Sequence, residues 1–180
     1  MAQRDEQHPI TEAPEMNEDL QSMILYALKE ARHKLENGEV VIPFTALAAG
    51  DTLFMDSHPG EDVDECFNSA RAHVQHATGA LGYAFCYDGY VDTDAGMRDV
   101  LIAEGGVPGE SSGYAFGYLY TTGAGGTVHV DDKVVYLGEA PNFMEFTGLE
   151  VSADDEAEAE SEDAEMNETA ETTEAVESDE

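Results

Sequence analysis

Between Leu81 and Tyr87 large and small side chains alternate without a break: Leu81, Tyr83, Phe85 and Tyr87 fall on one parity, and Gly82, Ala84 and Cys86 on the other. Only an extended strand has a period of two, so this stretch constrains the chain to a β-sheet with two unlike faces. The pattern returns from Tyr114 to Tyr120, where Tyr114, Phe116, Tyr118 and Tyr120 alternate with Ala115, Gly117 and Leu119. Two such strands predict one sheet with a smooth face, against which a helix backbone can lie closely, and one aromatic face.

Two helices complete the plan. Leu20, Met23, Ile24, Ala27, Leu28, Ala31 and Leu35 recur at the i, i+3, i+4, i+7 spacing of a helix with a single apolar stripe. Asn17 is placed to cap it, Glu18 and Asp19 suit the positive end of its dipole, Lys29, Arg32 and Lys34 suit the negative end, and Gly38 stops it. A second helix is expected over Asp62–Thr78, with Val63, Phe67, Ala70, Val74 and Ala77 inward. Asp62 and Glu65 resemble a capping box there, and Gly79 ends the helix.

The remaining segments read as strands and turns. Val40, Val41 and Ile42 suggest an edge strand bent at Pro43, and the apolar residues from Phe44 to Met55 form a strand or a packed loop around a turn at Gly50–Asp51. An acidic loop is expected over Asp88–Gly96, then a strand at Asp99–Glu104, then the aromatic strand at Tyr114. Thr127–Val130 and Lys133–Leu137 read as a hairpin turning at Asp131–Asp132, and Phe143, Met144 and Phe146 as a segment packing on the body. The expected fold is therefore α+β, two helices packed on an antiparallel β-meander of about five to six strands. One domain spans 17–149, between a mobile arm at 1–16 and a disordered acidic tail at 150–180.

Charge narrows the environment. The chain carries a net charge of −33, and residues 150–180 hold 15 acidic side chains and no basic one. That leaves 25 acids against 7 bases in residues 1–149, a body at net −18. An acidic body with only three lysines matches the composition of salt-accumulating halophiles, whose self-repulsion is screened over about 3 Å at 1 M salt. Binding to nucleic acid is not expected, since no basic stripe faces the phosphates. The opening M-A-Q-R-D-E-Q-H-P has no apolar core of a secretory signal and no run suits a membrane span, so a soluble cytoplasmic protein is expected.

Few motifs carry chemistry. His73 and His76 lie at i, i+3 without a third ligand. Asp92-Thr93-Asp94-Ala95-Gly96 departs from a calcium loop, because its glycine falls at position 5 and Glu104 misses position 12. Neither metal nor cofactor is expected, and no G-x-S-x-G, P-loop or dinucleotide fingerprint occurs. Cys66 and Cys86 reach similar heights if the strand folds back along the helix, so contact between them is allowed, with core packing as the simpler use of both.

Two residue sets remain. Tyr83, Phe85, Tyr87, Tyr114, Phe116 and Tyr118 combine large contact area with polar tips, which suits a protein interface unless a helix covers them. His58, Asp62, Cys66 and Asp88 gather near the start of the second helix and suit a pocket. The leading expectation is a non-enzymatic interaction or assembly module acting through the aromatic face, as a homodimer or with another protein. An enzyme or small-ligand-binding domain using the pocket is the alternative.

Overall fold

Asn17 caps the first helix as its position predicts. Its side-chain oxygen accepts from the amides of Asp19 at 2.8 Å and Leu20 at 3.2 Å, and α1 follows over Glu18–Glu36. The stripe Leu20, Met23, Ile24, Ala27, Leu28 and Ala31 is buried along its whole length. This computed structural model describes residues 13–147. The expected tail, and all of the expected arm before residue 13, lie outside the described residues.

After α1 come β1 (Phe44–Ala49), β2 (Thr52–Ser57), α2 (Val63–Gln75), β3 (Gly82–Thr93), β4 (Gly96–Gly106), β5 (Ser112–Thr122) and β6 (Val128–Pro141). The strands form one sheet in the order β2-β1-β3-β4-β5-β6, every neighbouring pair antiparallel. The described residues thus form an α+β domain of two helices and a meander extended by the β1–β2 hairpin. Among the described residues no helix is long and apolar enough to cross a membrane.

Three segments differ from expectation. Val40–Ile42 is not a strand; pairing begins after Pro43, at Phe44, where β1 is held on both sides by β2 and β3. The acidic stretch at Asp88–Gly96 is not a loop. It is the outer half of a long hairpin, whose turn is only Asp94–Ala95 and whose next residue, Gly96, sits at φ 104°. Residues on such an arm are solvated on both sides, so acidic composition does not oppose strand pairing. Asp131–Asp132 is likewise not a turn. β6 passes straight through it, and three residues there, Asp131 to Lys133, face one on β5, an irregularity that absorbs the extra length. Arg32 donates to the carbonyl of Asp131 at 3.3 Å and pairs with Asp132 at 3.5 Å, while Arg98 pairs with Asp131 at 3.5 Å.

The helices lie on opposite faces. α1 covers Ala84, Cys86, Leu101, Ala103, Phe116, Tyr118 and Tyr120. Its approach is close enough that a Cβ at Gly105 would lie 2.8 Å from Ile24 and 2.7 Å from the Tyr83 carbonyl oxygen. α2 covers Leu47, Tyr83 and Phe85 on the other face, together with Phe143 and Met144 from the segment that follows β6.

The expected single aromatic face is corrected by the register. Cys86 pairs with Ala103, and Ala103 with Phe116, so Phe116 shares a face with the small residues of β3. The row Tyr83, Phe85, Tyr87 therefore looks toward α2, and the row Tyr114, Phe116, Tyr118, Tyr120 toward α1. Helices or neighbouring side chains bury Tyr83, Phe85, Phe116 and Tyr118, and leave Tyr87 and Tyr114 half-buried. The two cysteines are separated in the same way. Cys86 belongs to the α1 core and Cys66 lies on α2, so they do not pair.

Candidate functional site

The α2 side of the sheet holds the unusual chemistry. Tyr83 donates to the carbonyl of Pro141 at 3.1 Å and accepts from the amide of Phe143 at 3.0 Å. Phe143 stacks on Tyr83 with centroids 5.0 Å apart and meets the Phe67 ring edge-on at 5.1 Å. Asn142 locks this segment down: its amide nitrogen donates to the carbonyls of Val107 and Glu110, and its oxygen accepts from the amide of Met144. The guanidinium of Arg71 lies over both Phe67 and Phe143, 5.2 and 5.6 Å from their centroids.

At the start of α2 this aromatic cluster opens into a cleft of about 270 Å³. Its walls are Pro43, Val63, Phe67, Phe85 and Tyr87, and its rim carries Glu61, Asp62, Cys66 and Asp88. A second, shallower depression of about 510 Å³ adjoins it at Val63, Tyr87 and Asp88 and extends to Tyr90, Asp99 and Tyr120.

Two amides at the start of α2 are taken by carboxylates of the chain itself. The Asp62 carboxylate accepts from the Glu65 amide at 2.8 Å, and the Glu65 carboxylate accepts from the Glu61 amide at 2.7 Å. Asp62 caps the helix as expected, but the Glu65 carboxylate reaches past it to Glu61, so the reciprocal half of a capping box is displaced by one residue. Asp88 accepts from the Tyr120 hydroxyl at 2.7 Å. Partial burial raises its pKa from the ordinary value, and the Tyr120 hydrogen bond opposes that rise.

Three of the four predicted pocket residues, Asp62, Cys66 and Asp88, line this one cleft. His58 is not among its lining residues. It is buried between β1 and α2, with Nε2 2.9 Å from the Thr45 hydroxyl and Nδ1 3.1 Å from the Ser69 hydroxyl. Burial lowers its pKa, and the neighbouring His73, with its ring centroid 5.2 Å away, lowers it further. Both ring nitrogens of His58 are thus occupied in tying a strand to a helix. His73 faces Asp56 on β2 at 3.2 Å.

Sequence reasoning passed over Glu104. It is the charged end of an otherwise apolar run, paired across the sheet with Phe85, and it is buried on the α2 side. One oxygen accepts from the Tyr87 hydroxyl at 2.6 Å, and the other has no partner. Burial raises its pKa, with the Tyr87 hydrogen bond acting in the opposite direction. The available signal was parity: position 104 falls on the same face as Val100 and Ile102.

Comparison of the chain with protein-family models, with curated proteins and with solved structures finds no match.

Proposed function

We propose that this domain is a non-catalytic binding module, and that the cleft at the start of α2 takes a small ligand with an apolar body and a cationic end. The observation that carries this reading is the cleft's division of labour. Its walls are aromatic and aliphatic, its rim is acidic, and the amides of Glu61 and Glu65 beside it are already used by Glu65 and Asp62. Apolar walls with a few placed polar groups are the usual make-up of a small-molecule site. A positively charged group beside Asp62 gains attraction from its carboxylate, and aromatic walls favour a cation over an anion. The composition also supports work in a salt-rich medium, where a net charge of −33 is screened.

The test is a titration with 2-phenylethylamine followed by amide chemical shifts, with phenylacetate as the probe of matching body and opposite charge. The amine is expected to shift Val63, Cys66, Tyr87 and Asp88, and phenylacetate to leave them unmoved. Asp62→Asn, which keeps a helix-capping side chain, is expected to weaken amine binding, and Val63→Trp, at the exposed mouth of the cleft, to block it. Equal binding of both probes, or shifts elsewhere on the surface, counts against the reading. The assembly reading loses the open aromatic face it was built on, because the register buries most of both rows.

A further inference from the structure

β2 is the outermost strand at one end of the sheet, and all six of its residues are exposed. Its centre is Leu53, Phe54 and Met55, exposed by 38, 52 and 39 %. An unpaired strand edge is a template for another strand, and proteins blunt such edges with lysine, proline or bulges. The opposite edge, β6, has those devices: Asp131, Asp132 and Lys133 at an irregularity, and Pro141 at its end. β2 has none between Thr52 and Ser57, and its register with β1 is unbroken.

The sequence of β2 selects the occupant. We propose that β2 pairs antiparallel with β2 of a second copy about a two-fold axis at Phe54, joining two six-stranded sheets into one. In this register Phe54 faces Phe54 of the second copy, Leu53 faces Met55, Thr52 faces Asp56 and Asp51 faces Ser57. No carboxylate meets another. The neighbouring ladder registers, two residues away, centre on Leu53 and set Phe54 opposite Thr52, or centre on Met55 and set Phe54 opposite Asp56. The symmetric register also places aromatic against aromatic and aliphatic against aliphatic, pairings that stabilise antiparallel ladders. Asp56 lies 3.2 Å from the His73 ring of its own chain. What opposes association is the overall negative charge of each copy, so salt strengthens the pair.

The experiment is sedimentation equilibrium of the full chain at about 0.1 M and about 2 M salt, with disulfide trapping. The wild type is expected to double its mass, with the dimer at least about tenfold tighter at the higher salt. Phe54→Asp is expected to give a folded monomer, while Phe146→Asp, an equally drastic change at another exposed site (74 %), leaves the dimer intact. Under oxidation Phe54→Cys is expected to form a crosslinked dimer, and Thr52→Cys and the wild type, which carries only Cys66 and Cys86, to remain uncrosslinked. A wild type that is monomeric at both salts, a dimer that survives Phe54→Asp, or crosslinking at Thr52→Cys but not Phe54→Cys overturns the proposal. Because the amine titration reads the cleft alone, either result can fail without the other.

Discussion

The two faces of the sheet are packed by different rules. Under α1 the interface is apolar apart from tyrosine tips, and the sheet supplies Ala84, Cys86, Ala103 and Gly105, so helix and strands approach closely. Under α2 the helix is shorter, 13 residues against 19, and the packing is carried by interlocked rings. The buried polar residues among those described, Thr45, His58, Glu104 and Asn142, all belong to the α2 side. Buried polar groups stabilise only when every partner is in place, so they fix one arrangement at a cost in stability. One face therefore holds the fold together, and the other shapes a cavity.

The largest effect is expected where the second face depends on a single ring. Phe143→Ala removes the partner of Tyr83, Phe67 and Arg71 together, and should lower stability by about 3–5 kcal/mol in chemical denaturation. A loss below about 1 kcal/mol would mean that the segment after β6 is not part of the cooperative fold. On the first face the matching test is overpacking: Gly105→Ala drives a methyl against Ile24 and the Tyr83 carbonyl and should cost about 1–3 kcal/mol. The same substitution at Gly125, where a Cβ meets nothing within 4 Å but φ is 83°, probes backbone strain alone. It separates the two causes.

Smaller effects come from titration. Glu104 has a raised pKa in the folded state, so on raising the pH through the ordinary carboxylate range the unfolded chain loses its proton first. Stability then falls with pH until Glu104 itself ionises. Glu104→Gln keeps an acceptor for Tyr87, and should flatten that slope and stabilise the protein by about 1–2 kcal/mol at neutral pH. His58 gives the opposite limb. Its pKa is lowered on folding, so below about pH 6.5 the unfolded chain binds a proton that the folded one resists, and stability falls as pH drops. Melting curves of wild type and His58→Gln across this range should differ in slope, with the variant the flatter. Equal slopes would assign the acid limb to carboxylates.

How far these faces were legible depends on the range of the interaction. Both helices were readable, since the Asn17 cap, the Asp62 cap and the 3.6-residue stripes are all local. So was the alternation within β3 and β5. Which row faces which helix was not, because it depends on how many residues the intervening turns absorb, and one residue of register exchanges the faces. Asp94–Ala95 makes that turn two residues long, where the acidic composition of Asp88–Gly96 suggested a wide loop. In the cleft, Asp62, Cys66 and Asp88 came together through the short link at Gly79. His58 missed because its two hydrogen bonds reach partners that spacing does not reveal.

The anchoring of Asn142 and Phe143 also has a mechanical side. β6 is the last strand of the sheet, and its ladder to β5 runs across the strand direction. A load applied through residue 147 would otherwise peel β6 away one pair of bonds at a time. It meets the Met144 carbonyl held by the Gly109 amide, then the Asn142 bonds to Val107 and Glu110 and the Tyr83 hydroxyl, before it reaches the ladder. The segment fastens β6 as a cleat holds the end of a rope, so that a pull on residue 147 comes to the ladder only after these ties.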